Sequence, residues 1–418
     1  MLNRVKQQPV LVLAIIMAIA ILWNFYVQLI WGYNKESWNI TEFLVNYQGG
    51  FVRRGLIGEV IYFLSKNYSL NPYYLIVGLC AVCYFGLIVV FIRSFIEHGF
   101  SLLILPFVFF LGSPVINNFW VRKDVLIVLL YIFIIHLLQK QTILRFFILN
   151  IILCIALLIH ESIAFLAFPV IAWKWYKFSA EKQSGSSLKA ILMTGGKLLF
   201  PLLVFGTLFL FPAKWDTAEK IWYSWDSFKF PSDSEVALAP AAIEGITWSA
   251  QTGLRKTMLA TVQNFSGGVY APFAWLFIVL GVFVMGRYAD KLLNTGYGAG
   301  AENEVGKKFT EILVFNFICL MPLYIISLDY GRWVFLWVTS SYALLCFNKS
   351  YFPDFIGKTG YWLGNIVTGL FRDSRFALFF LFCLGLPKFE WDYNQFFDST
   401  PVVYILRFVT KIITLYLI

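Results

Sequence analysis

Long apolar runs alternate with short polar breaks along the whole chain. The runs cover 9–31, 73–95, 102–119, 125–138, 146–158, 163–175, 190–211, 271–285, 312–328, 333–347, 376–386 and 402–418. Each is a continuous stretch without the in-out alternation of barrel strands, so each reads as a helix. The pattern predicts an all-α fold: a polytopic transmembrane helical bundle of about twelve spans, built as a single integral membrane domain over 1–418. Several runs are shorter than the ~20 residues of a full crossing, which leaves room for re-entrant segments. Two stretches, 32–72 and 212–270, are long and mixed in character and read as loops.

Charge then orients the bundle. Arg4 and Lys6 precede the first run, which is too long for a signal-peptide core and lacks a small-residue cleavage site. It reads as an uncleaved span with the N-terminus in the cytoplasm. Alternation places Arg93, Lys140, Arg145, Lys174, Lys177, Lys182, Lys189, Arg287, Lys291, Lys307 and Lys308 on the same side. The short loops on the other side, 120–124, 159–162, 329–332 and 387–400, hold only Arg122, Lys123, Arg332 and Lys388. Twelve spans return the C-terminus to the cytoplasm. The 212–270 loop then lies outside it, and 349–375 reads as an amphipathic helix on the inner surface.

Composition agrees with lipid as the solvent. The 418 residues are 60% hydrophobic and 13% charged, against about 25% charged in soluble proteins. The formal net charge of +10 is spread over short connectors with no basic stripe. It points to membrane lipids and not to nucleic acid. The six cysteines all lie in or beside apolar runs, and Cys80 and Cys83 read as small core residues in place of a redox or metal pair.

The polar residues that remain gather where runs end. Arg53 and Arg54 sit among glycines in the stretch from Gly49 to Gly58. Two guanidiniums there can grip phosphate oxygens in forked fashion, with glycines letting the backbone come close. The plainer alternative is a pair of snorkelling anchors. Arg122, Lys123 and Asp124 precede the run at 125–138. Asp124 suits a helix N-terminus, whereas two cations do not, which suggests a compensating anion. His160 and Glu161 interrupt apolar sequence on both sides. An ionisable pair at that depth is costly and usually functional, and either side chain suits a base that takes a proton from a sugar hydroxyl. A hydrogen-bonded structural pair is the alternative. Asp329 and Arg332 flank a Tyr-Gly turn, as a second base and anion ligand or as a tight-turn ion pair. In the 212–270 stretch Trp215, Trp222, Trp225 and Trp248 stand near acidic residues, a combination that suits sugar rings and equally suits a membrane interface.

A span preceded by Arg122-Lys123-Asp124, a later Ile159-His160-Glu161-Ser162 and a long loop between later spans resemble bacterial O-antigen and exopolysaccharide polymerases. The chain is similar, more broadly, to polytopic glycosyltransferases of the C type. The resemblance implies a bacterial inner-membrane enzyme that joins undecaprenyl-diphosphate-linked glycan units on the periplasmic face. It implies transfer with no metal or other cofactor, and a chain-length regulator as a partner. The expected catalytic residues are His160, Glu161 and Asp329. The expected substrate-binding residues are Arg53, Arg54, Arg122, Lys123, Asp124 and Arg332. Two other functions fit the same outline: a single-sugar transferase using a polyprenyl-phosphate sugar, and a flippase for lipid-linked oligosaccharide. A flippase is expected to carry charge through many spans and to show two related halves. Here mid-run charge is confined to residues such as Lys197, Arg407 and Lys411.

Overall fold

The computed structural model describes residues 18–19, 21–30, 32–98, 113–116, 119–140, 142–182, 187–231, 241–266, parts of 276–290, 309–327, 329–347, 409–410 and 413. The described residues contain helices and no strand. Besides the single turn Ser113–Ile116, the helices in chain order are α1 (Ile21–Ile30), α2 (Trp38–Leu44), α3 (Gly55–Tyr68), α4 (Pro72–His98) and α5 (Lys123–Leu138). They continue with α6 (Ile143–Ile159), α7 (Ile163–Lys182), α8 (Ser187–Leu210), α9 (Trp215–Tyr223) and α10 (Ala241–Gly245). The last are α11 (Ala250–Ser266), α12 (Phe309–Ile326) and α13 (Tyr330–Phe347). Three of them, α4, α8 and α12, are long and apolar enough to cross a membrane by length and composition. The expected spans at 102–119, 376–386 and 402–418, and the expected surface helix at 349–375, lie wholly or largely outside the described residues, whereas within the expected span at 271–285 residues 278–284 are described and helical.

Helix α5 is the centre of the bundle, packing against α4, α6, α7 and α13. Its sequence explains the position: from Val125 to Leu138 only Tyr131 and His136 break the apolar run, so no polar stripe directs one face to water. By contrast, α4 and α8 carry exposed large side chains along their length, among them Tyr74, Val82, Val89, Leu192, Leu199 and Leu203. Apolar surface of that extent is stable against lipid and not against water. Pro169, Pro201 and Pro322 sit inside α7, α8 and α12, a placement more readily tolerated in membrane helices than in soluble ones.

The two stretches read as loops carry helices. The 32–72 stretch folds into α2 and α3, and the 212–270 stretch contains α9, α10 and α11. The hydrophobic pattern missed them because each is too short or too polar to register as a span. They close over one end of the bundle. Trp225 Nε1 donates to Leu44 O at 2.7 Å, Ala242 N donates to Thr41 Oγ1 at 3.2 Å, and Asn46 Nδ2 donates to Ser224 Oγ at 2.9 Å. Two glycines make the fit possible. A Cβ on Gly55 would meet the Tyr47 ring, and one on Gly58 would meet the Val45 carbonyl. The glycine spacing that suggested close approach to a ligand here serves the approach of α3 to the preceding segment.

Candidate functional site: a buried ion network at one end of the bundle

The chain breaks that begin α3, α5 and α13, and the one that ends α6, bring their charges to one place. Arg122 ends an extended segment and Lys123 and Asp124 open α5. His160 is the extended residue after α6, and Ile163 and Ala164 resume hydrogen bonding to His160 O and Glu161 O as α7 begins. Asp329 immediately precedes α13, with Arg332 in its first turn.

Glu42, on α2, lies at the middle of this network. It is fully buried, and its Oε2 accepts from Arg122 Nε at 2.9 Å and from the Lys123 backbone N–H at 3.4 Å. Its Oε1 lies 3.4 Å from His160 Nε2 and 3.6 Å from Arg332 Nη2. On one side, Arg54 forks onto Glu161: Nε donates to both carboxylate oxygens at 3.0 and 2.9 Å, and Nη2 also reaches Oε1. On the other, Arg332 donates from Nε and Nη2 to the two oxygens of Asp124 at 2.8 and 3.0 Å, and from Nη1 to Asp329 at 2.7 Å. Lys123 Nζ donates to Arg54 O at 2.8 Å, tying the two sides together. That carbonyl belongs to a residue with φ 64°, a left-handed backbone uncommon outside glycine, held here by pairing of both the side chain and the carbonyl.

The structure thus brings together eight of the nine expected site residues: Arg54, Arg122, Lys123, Asp124, His160, Glu161, Asp329 and Arg332. Arg53 takes another direction. Its Nη2 donates to Gly245 O at 2.6 Å and Trp248 O at 2.8 Å, so this guanidinium holds the end of α10. Asp124 lies one residue inside α5, not at its cap, with both oxygens on Arg332. Glu42 is the member that sequence reasoning missed. Its signal was a lone carboxylate among Ile40, Phe43, Leu44 and Val45, in a stretch taken for a loop.

Burial decides what each group can do. His160 Nδ1 accepts from Ser162 N at 3.2 Å, so a neutral imidazole carries its proton on Nε2, toward Glu42. No lone pair of this histidine then faces open space. Glu161 is committed to Arg54. Asp329 is the exception among the expected catalytic residues, its side chain 32% exposed. Arg122 is buried, and its Nη2 has no hydrogen-bond partner among the described residues. Of the four tryptophans in 212–270, Trp222 and Trp225 are core residues, while Trp215 and Trp248 keep exposed surface.

The carboxyls and the imidazole respond to acid in the same direction. Burial favours a neutral His160, and the Arg54 charge adds to it, so its pKa lies below the ordinary value of 6.5. Burial, the largest single influence, would raise the Glu42 and Glu161 carboxyls, but Arg122, His160 and Arg332 around Glu42, and Arg54, His160 and Arg53 around Glu161, together outweigh it and hold both well below the usual carboxylate range. Below about pH 6.5 the unfolded chain binds a proton at residue 160 that the folded chain refuses. Below about pH 4.5 it also binds protons at residues 42 and 161 that the folded chain refuses. Stability therefore falls as pH drops. Lys123, pushed down by burial to about 8, adds a fall in the same direction between about pH 10.5 and 8, whereas Asp290, pushed up by burial to about 7, works the other way between about pH 7 and 4. In an Asp290→Asn background, thermal unfolding in detergent is expected to weaken from about pH 6.5 downward and to weaken faster below about pH 4.5. A melting temperature of that variant that rises on acidification through pH 6 would contradict the network.

Fold and site together describe an all-helical protein with membrane-spanning candidates and a charged network buried at one end of its bundle. No family model, curated protein or solved structure matches the chain.

Proposed function

We propose that this protein is a polytopic membrane glycosyltransferase that polymerises undecaprenyl-diphosphate-linked oligosaccharide units of O-antigen or exopolysaccharide. In this reading it works at the periplasmic face of a bacterial inner membrane. The observation that carries the reading is the meeting of Arg54, Arg122, Lys123 and Arg332 in one place, with the Asp329 carboxylate at its exposed edge. Four cations from three separate parts of the chain, some of them with little water to screen them, suit the charge that appears on a departing diphosphate. The unpartnered Arg122 Nη2 is a donor already desolvated for such an oxygen.

The chemistry follows from these positions. A hydroxyl of the acceptor glycan attacks the anomeric carbon of the donor, and the bond from that carbon to the diphosphate breaks. The hydroxyl proton goes to Asp329, which Arg332 orients through the Nη1 contact. The electron pair leaves on the diphosphate, where Arg122 Nη2, the guanidinium donor left without a partner among the described residues, meets it while Arg54 and Arg332 stay on their carboxylates. His160 and Glu42 position the arginines and do not themselves meet substrate. Trp215 offers exposed ring surface to sugars, whereas the half-buried Trp248 ring lies under Lys256 Nζ at 3.5 Å.

The test is Arg54→Lys in cells that make the polymer, read as a ladder of chain lengths. Lysine keeps the charge and loses the planar fork that spans both Glu161 oxygens. The expected result is loss of the long chains, with the protein inserted at normal levels. A normal ladder would make Arg54 an anchor. Loss of the ladder together with lipid-linked units trapped on the cytoplasmic side would favour transport over transfer.

A further inference from the structure

At the other end of α5 a cavity of about 300 Å³ opens where α5, α6, α7 and α8 meet. It lies roughly 22 Å from Lys123 along the helix, from a rise of about 1.5 Å per residue. Three cations from three elements line it: Lys140 in the α5–α6 connector, Arg145 in the first turn of α6 and Lys197 inside α8. No described lining residue is acidic. Trp175 and Phe178 form one wall, with Lys197 Nζ 5.8 and 5.6 Å from their ring centroids. Leu137 and Leu149 supply apolar surface.

The placement of Lys197 needs a reason. It lies nine residues into the apolar window Leu188–Leu210 of a candidate membrane span, and it is half-buried. A cation there is costly and is generally kept for an anion or a pathway. The ion network at the far end makes no use of it. Arg145 adds to the same field: its side chain caps the end of α5 by donating to His136 O at 3.4 Å, and its backbone N–H bonds Thr142.

We propose that this cavity binds the phosphate headgroup of a membrane lipid, with Lys140, Arg145 and Lys197 on the phosphate and the apolar wall beside the first part of an acyl chain. Basic pockets between membrane helices recognise anionic headgroups in this way, and the volume is at the lower end of small-ligand sites. The cavity is lined from helix ends, next to lipid-exposed Ile143 and Leu144, so a lipid can enter from the side. The proposal is independent of the glycosyltransferase reading.

The experiment is native mass spectrometry of the full-length protein released from nanodiscs of equal phosphatidylglycerol and phosphatidylcholine. The expected result is retention of phosphatidylglycerol in preference to phosphatidylcholine. Lys197→Gln and Arg145→Gln should each cut that preference about five-fold, from the contribution of one cation near a lipid phosphate. Lys140→Gln, at an exposed position that tolerates change, should act in the same direction if the other variants fail to fold. Lys189→Gln, which removes an exposed α8 cation outside the cavity, should leave the preference intact. Excess inorganic phosphate separates the two sources of the chemistry. Adducts that survive it assign the site to the lipid, and adducts that it displaces assign the site to free phosphate. Equal retention of the two lipids, or an equal loss with Lys189→Gln, overturns the proposal.

Discussion

Glu42→Gln should destabilise this protein more than any other single change in the network. The carboxylate is fully buried and is, among the described residues, the one acid hydrogen-bonded to Arg122, whose side chain is also buried. It further faces His160 and Arg332. Glutamine keeps the volume and removes the charge, leaving a guanidinium desolvated without an anion. Breaking a buried pair in this one-sided way costs roughly 3–5 kcal/mol, because the remaining charge has lost its compensation. The melting temperature in detergent should fall steeply. Glu42→Gln combined with Arg122→Met should be more stable than Glu42→Gln alone, since the stranded charge is gone. A double variant no more stable than the single one would mean that Glu42 acts through something other than Arg122.

Asp329→Asn should do the reverse, sparing the fold and removing turnover. Its side chain is part-exposed and shares Arg332 with Asp124, so Arg332 keeps its two bonds to Asp124 when Asp329 is neutral. Stability should change little. An amide, however, cannot take the acceptor proton, and a positioned base contributes about 10²- to 10⁴-fold to rate. Transfer should fall by that order while binding of the lipid-linked glycan persists. His160→Asn gives the contrast. Because the imidazole faces Glu42 and the Ser162 amide, its loss should lower stability along with activity.

Much of this arrangement can be read from the residues in order, and the failures have definite causes. The apolar runs at 125–138, 146–158 and 333–347 fall inside helices that extend only a few residues further, at Lys123–Leu138, Ile143–Ile159 and Tyr330–Phe347. A long apolar run flanked by charges leaves few other places for a helix to end. The same breaks carry Arg122, His160 and Arg332, so the site stood out wherever a span ended in charge. Glu42 did not, because its helix is seven residues long and its burial depends on α10 and on the loops closing over it. Nor could the sequence separate Arg53 from Arg54. The left-handed backbone at Arg54 and the carbonyls of Gly245 and Trp248, nearly two hundred residues away, set the two side chains apart. The glycines at 55 and 58 looked the same whether a ligand or another stretch of chain was to approach them.

Glycan transfer by the ion network is read directly by reconstituting the purified full-length protein in proteoliposomes with an undecaprenyl-diphosphate-linked oligosaccharide, followed by mass spectrometry of the glycans. The expected result is glycans lengthened by whole units, undecaprenyl diphosphate released in equal amount, and neither product with Asp329→Asn. Oligosaccharide that crosses the bilayer intact and unextended, at the same rate for wild type and Asp329→Asn, would contradict it.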